Sequence, residues 1–202
     1  KNSPNFFVLD LPREDVAGFR ALVEKEVPGA VTHDAPMLRG RIVAVGNRTA
    51  EQVRARPESQ WVLTGDRGLS YADEVPDGST VVAGTWWPKD YSGEPLVSFE
   101  AEIAKALGVG IGDTVTVNVL GRNVTARIAN LREVRWESLA INFVMVFSPN
   151  TLRAAPHNVL ATISLDPATP LAREADLARA IGKAYPASTA IRVKDAINSF
   201  SA

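Results

Sequence analysis

The sequence predicts an α+β protein. Both chain ends build one ferredoxin-like split βαβ subdomain, and the middle contributes an inserted β-rich subdomain. Three observations carry that expectation. The front reads strand, helix, strand, strand; the back reads strand, helix, strand. Between them the apolar period changes to two: Val115, Val117 and Val119 alternate with Thr114, Thr116 and Asn118. The expected boundaries are 1–65 with 151–202 for the discontinuous subdomain and 66–150 for the insertion.

In order, Phe6 to Leu9 reads as a buried strand, and Pro12 stands near the start of a helix, where its missing N–H is not needed. Val16, Phe19, Leu22 and Val23 give that helix an apolar face, and Pro28-Gly29 ends it. Ala30 to Thr32 begins a strand, and Met37 to Val45 contains a longer one. Ala50 to Ala55 is a marginal helix interrupted by Pro57, and Gln60 to Thr64 reads as a strand. A turn-rich stretch with Asp73, Glu74 and Asp77 leads to a short strand at Thr80–Ala83 and a loop carrying Trp86 and Trp87.

The central stretch opens with a helix. Ser98 is its expected N-cap, Glu100 and Glu102 lie in the first turn, and Phe99, Ile103 and Leu107 form the apolar face. Gly108, Gly110 and Gly112 end it, because glycine takes positive φ without a Cβ clash. A hairpin follows, turning at Gly121-Arg122-Asn123 and resuming its alternation at Val124, Ala126 and Ile128. Phe143 to Phe147 is apolar throughout, as in a strand buried on both faces. Beyond it come one helical turn at Thr151–Ala155 and a strand at Asn158–Leu165. Thr169 caps the next helix, which buries Leu171, Leu177, Ala178 and Ile181. A strand at Ala190–Val193 follows, and Asp195–Phe200 starts a last helix.

Composition narrows the function classes. With 22 basic and 23 acidic residues the net charge is −1, so no basic surface for nucleic acid is expected. The absence of cysteine excludes disulfides, zinc–thiolate sites and cysteine nucleophiles. No window approaches the roughly 20 apolar residues of a membrane helix.

Catalytic patterns are equally sparse. Gly108-Val-Gly-Ile-Gly112 follows a helix and precedes a strand, the reverse of a dinucleotide-binding turn. His33 and His157 lack paired-ligand spacing, and no serine sits in G-x-S-x-G. No catalytic residue, cofactor or metal is therefore expected, and an enzyme ranks third among the readings.

SFEAEIAKALGVGIGDTVTVNV followed by REVRWESLAINFVMVFSP resembles the extracytoplasmic domain of YbbP-type ABC transporter permeases, within the wider FtsX/MacB class. SPNFFVLDL and APMLRGRI fit the same pattern. The resemblance implies a MacB-type periplasmic core on the periplasmic side of the bacterial inner membrane, held there by flanking helices this chain lacks. A missing initiator methionine and an uncapped C-terminal end agree with an excised piece. It further implies a separate cytoplasmic ATP-binding subunit and a hydrophobic or lipid-related cargo. A periplasmic esterase or lysophospholipase partner, and motion transmitted outward without a conventional channel, complete what it implies.

Partner or cargo contacts are expected at Trp86, Trp87, Arg135, Trp136 and Glu137. Successive side chains of an extended segment point to opposite sides, so one of Trp86 and Trp87 is expected to be accessible. Trp136 is expected to plug core. A stand-alone lipid- or peptide-binding module, built on the Asp113–Ile128 hairpin, is the alternative reading.

Overall fold

A computed structural model describes residues 3–136 and 141–196. Its strands are β1 (Phe6–Pro12), β2 (Val31–Val45), β3 (Arg48–Thr49), β4 (Arg67–Tyr71), β5 (Ser79–Gly84), β6 (Leu96–Glu100), β7 (Thr114–Val119), β8 (Arg122–Val134), β9 (Met145–Phe147), β10 (Asn158–Ser164) and β11 (Thr189–Arg192). Its helices are α1 (Val16–Glu26), α2 (Ala101–Leu107), α3 (Pro149–Leu152) and α4 (Leu171–Ala184). The fold is thus mixed α and β, rich in sheet and poor in helix.

The chain divides into two compact units. Among the described residues, the first comprises 3–36, 141 and 157–196; the second comprises 37–136 and 142–156. Residues 37–65, placed by sequence with the discontinuous subdomain, pack in the second unit. The reason is hydrophobic: Leu38, Ile42, Val45, Val53, Val62 and Leu63 all sit in that unit's core.

In the first unit β1 is flanked by β10 and β11, antiparallel to both. Phe6 and Val8 point inward at period two, and Leu11 keeps the inward side because a register shift intervenes, with Asp10 at φ +58°. Phe19 and Val23 of α1 and Leu177 and Ile181 of α4 close the core over this sheet. Leu171 departs from expectation: it is 60% exposed, and the inward position in that first turn goes to Glu174, bonded to Arg192 at 3.3 Å. Pro170, not Thr169, occupies the cap position.

The second unit is a closed barrel. Pairing runs β2–β4–β9–β6–β8–β7 and returns to β2, because β7 hydrogen-bonds to both β8 and β2. Closure leaves no open edge among those six strands. The β4–β9 and β6–β8 pairs are parallel; the others are antiparallel. The β7–β8 turn is Leu120-Gly121, both at positive φ, as a two-residue hairpin loop requires. Gly40 lies where β2 passes between β4 and β7; a Cβ there would come within 2.8 Å of the Asn118 carbonyl.

Several local expectations give way to packing. Ser98 belongs to β6, and the α2 cap is Glu100, whose Oε1 accepts from Ile103 N at 2.8 Å. Residues 60–63 lie in a 3-10 segment, Pro57–Leu63, that buries the consecutive Val62 and Leu63, which a strand would point apart. Ala50–Gln52 forms only a 3-10 turn. The two strands expected near residues 30–45 are one continuous β2. Of the apolar run at 143–147, all five residues are buried, but only Met145–Phe147 is strand. Residues 193–196 begin a helix; the rest of that expected element lies outside the described residues. Among the described residues no helix is long and apolar enough to cross a membrane.

Candidate functional site

The loop that follows β5 carries the tryptophan pair. Gly84 ends the strand at φ +77°, and a Cβ there would fall 2.3 Å from the Ala129 carbonyl oxygen. The chain therefore leaves β8 along a path open only to glycine. Trp86 Nε1 donates to the Asp73 carbonyl at 2.7 Å, and Trp87 Nε1 donates to the Ala72 carbonyl at 2.9 Å. Both rings thus hang on consecutive residues of one segment, with centroids 4.1 Å apart and planes inclined 32°.

That geometry, rather than strand alternation, is the reason the two indoles differ in exposure. Residues 85–88 are not strand, so the two indoles lie on the same side and stack. Trp87 is 4% exposed and Trp86 half-buried. Beside them Arg153 lies over the Tyr71 ring at 5.9 Å and 3.7 Å from Asp73 Oδ2. Asp73 Oδ1 is buried without a hydrogen-bond partner. The arrangement offers a rigid aromatic platform with a charged rim, able to contact an apolar or planar group.

Arg135 and Trp136 depart from the other end of the β5–β8 ladder, where Arg135 N bonds to the Gly78 carbonyl at 3.0 Å. Trp136 is 47% exposed, against the expectation of a core plug. The ladder ends at Val134, so strand alternation no longer turns the indole inward. Glu137 lies outside the described residues.

Sequence reasoning missed the most buried polar cluster of the second unit. Arg132 has no exposed surface. Its Nε donates to Ser98 Oγ at 2.7 Å and its Nη1 to Ser79 Oγ at 3.1 Å. Its Nη2 reaches the carbonyls of Phe143 at 2.8 Å, Val144 at 3.2 Å and Ser98 at 3.4 Å. Burial lowers its pKa to about 10, opposed by the nearby charge of Glu100, so the guanidinium stays protonated at neutral pH. The Ser98 hydroxyl in turn donates to Asn130 Oδ1, and Asn130 Nδ2 donates to the Thr85 carbonyl at 3.3 Å. The signal was present. Continuing the alternation of Val124, Ala126 and Ile128 by two more steps places Asn130 and Arg132 on the inward face.

The glycine turn after α2 is structural. Gly108 and Gly112 take φ +75° and +93°, and they border an open cleft of about 430 Å³. Its two arginines are committed: Arg48 Nη2 caps α2 through the Leu107 carbonyl at 3.1 Å. Arg127 holds Glu94 and the Gly112 carbonyl, each at 2.7 Å. Among the described residues no group of three or more His, Asp or Glu is gathered to hold a metal ion.

No protein-family model matches the chain. An ABC transporter permease of Escherichia coli (strain K12), YbbP, itself uncharacterized, is 32% identical over 161 residues, 79% of this chain. The match spans 19% of that permease, so this chain corresponds to about a fifth of its length. The periplasmic region of MacB from Actinobacillus actinomycetemcomitans superposes with a TM-score of 0.52 and 11% identity, covering 99% of this chain and 94% of that one. A domain of a putative permease protein from Porphyromonas gingivalis gives 0.46 at 12% identity over 90% of this chain and 84% of that one. The chain is thus similar, over most of its length, to one part of the YbbP permease, and it has the fold of the MacB periplasmic region.

Proposed function

We propose that this chain is the extracytoplasmic domain of an ABC-type permease, placed on the periplasmic side of the bacterial inner membrane. There it transmits ATP-driven motion to the export or extraction of a hydrophobic, lipid-related cargo, or to a periplasmic partner such as an esterase or lysophospholipase. ATP is hydrolysed by a separate cytoplasmic subunit, and flanking helices of the parent permease supply the membrane anchor. The observation that carries this reading is the 161-residue match to a permease.

The architecture supports a mechanical role. The first and the last described segments, 3–36 and 157–196, both fall in the first unit, so both connections to the membrane act on one body while the barrel moves as a lever. The strand order β11-β1-β10-β2, with β1 antiparallel to both of its neighbours, supports a ferredoxin-like split βαβ for that body. Trp86, seated on Trp87, is the proposed contact for partner or cargo, and the exposed Arg135 and Trp136 form a second surface.

The test uses the parent permease with its ATP-binding subunit in vesicles. Because this chain has no cysteine, cysteines introduced within it at Lys25 and Leu120 place one spin label in each unit. The inter-label distance distribution shifts between ATP-bound and nucleotide-free states if motion is transmitted. An identical distribution in both states refutes the lever.

A further inference from the structure

The buried polar cluster runs in one direction, and its two ends lie at places of interest. Arg132 donates to Ser98, Ser98 to Asn130, and Asn130 to the Thr85 carbonyl. Thr85 immediately precedes Trp86. At the other end, Arg132 Nη2 holds the Phe143 and Val144 carbonyls, and Glu100 N also donates to Val144 O, at 2.9 Å. Phe143 and Val144 lie just inside residue 142, where the chain re-enters the second unit.

We propose that Asn130 and Arg132 are positioning residues that couple the tryptophan loop to the re-entry segment at residues 142–144. Three features give the coupling a physical basis. The donors and acceptors form an unbroken sequence, so the orientation of each group fixes the next. All side chains in it are buried: Ser98, Asn130 and Arg132 have no exposed surface. Between these side chains water therefore does not replace a broken link, and a lost bond leaves an unsatisfied group; only the last link, to the exposed Thr85, is partly buried. Finally, the backbone at the loop end lies close against β8. Gly84 is wedged against Ala129 O and Asn130 Cα, at 2.3 and 2.9 Å from where a Cβ would lie. A displacement of the Thr85 carbonyl moves Asn130, and through Ser98 it moves the guanidinium that grips the re-entry segment.

This deepens the lever reading, because a contact made at Trp86 is then felt where the chain crosses back from the other unit. It is nevertheless tested on the chain alone, so its outcome is independent of whether the permease reading holds.

The measurement is amide hydrogen exchange on the 202-residue chain. Asn130→Leu removes the middle of the relay. Asn130→Asp keeps the acceptor for Ser98 and lacks the N–H for Thr85, and serves if the leucine variant does not fold. Val117→Ala, a core substitution on β7, is the control for general loosening of the barrel. Both Asn130 variants are expected to raise exchange at residues 85–87 and 142–144 together, by about tenfold over a control of equal global stability. A rise confined to one of the two segments, or no larger than in the control, overturns the coupling.

Discussion

Replacing Arg132 with methionine fills most of the side-chain volume while deleting every donor of the buried cluster. Ser79 Oγ, Ser98 Oγ and the Phe143 carbonyl each lose their arginine donor. At about 2 kcal/mol for each of these three hydrogen bonds to a charged group, the gross loss is roughly 6 kcal/mol. Against it stands relief from burying a charge. Burial lowers the pKa well below the usual arginine value, to about 10, and that displacement corresponds to roughly 3 kcal/mol at about 1.36 kcal/mol per pKa unit. The net expectation is a destabilisation of about 3 kcal/mol, near the range seen when one partner of a buried charged cluster is removed. For a chain of this size that lowers Tm by roughly 6–12 °C. Thermal and urea unfolding of the 202-residue chain measure it. A methionine variant as stable as the parent would show that charge burial outweighs the hydrogen bonds, and the account of the cluster would fail. The pH dependence has a definite sign. The folded pKa lies below the unfolded one, so the group's own stabilising contribution is present only above the unfolded value and is lost as pH falls through about 10. The Arg132 contribution to the difference between parent and variant is therefore flat from neutral pH to about 9 and changes only beyond it.

Gly84→Ala places a Cβ 2.3 Å from a backbone oxygen at φ +77°, so β5 must separate from β8; a loss above about 2 kcal/mol is expected, and a change within 0.5 kcal/mol, by the same unfolding assays, would contradict the geometry. Trp87→Ala empties a buried site and is expected to cost about 3–5 kcal/mol, whereas Trp86→Ala costs about 1 kcal/mol, mainly from the lost ring stacking. The reverse ranking would mean that Trp86, not Trp87, anchors the loop. Stacked indoles also give an exciton couplet in circular dichroism, which Trp86→Phe should abolish.

The sequence by itself determined the elements whose signals are local. The β7–β8 hairpin follows from strict alternation around a glycine turn, since a slip of one residue would expose Val115, Val117 and Val119 together. Helix α1 follows from its apolar face and from Pro28-Gly29 just beyond it. Resemblance in the central stretch was likewise legible, because it rests on residue identity rather than on folding. What only tertiary structure decided depends on partners distant in sequence. Ser98 has the chemistry of a helix cap, but it lies in a strand paired between β8 and β9, where Arg132, 34 residues later, donates to its hydroxyl. Trp86 and Trp87 stack because Ala72 and Asp73, 15 and 13 residues earlier, offer adjacent carbonyls to two indoles. The closure of the barrel depends on β7 bonding to β2 across some 70 residues of chain, a pairing that no local period encodes. Local propensity and periodicity set which segments become strands or helices; desolvation of polar groups and the geometry of long-range pairing decide which of their side chains meet.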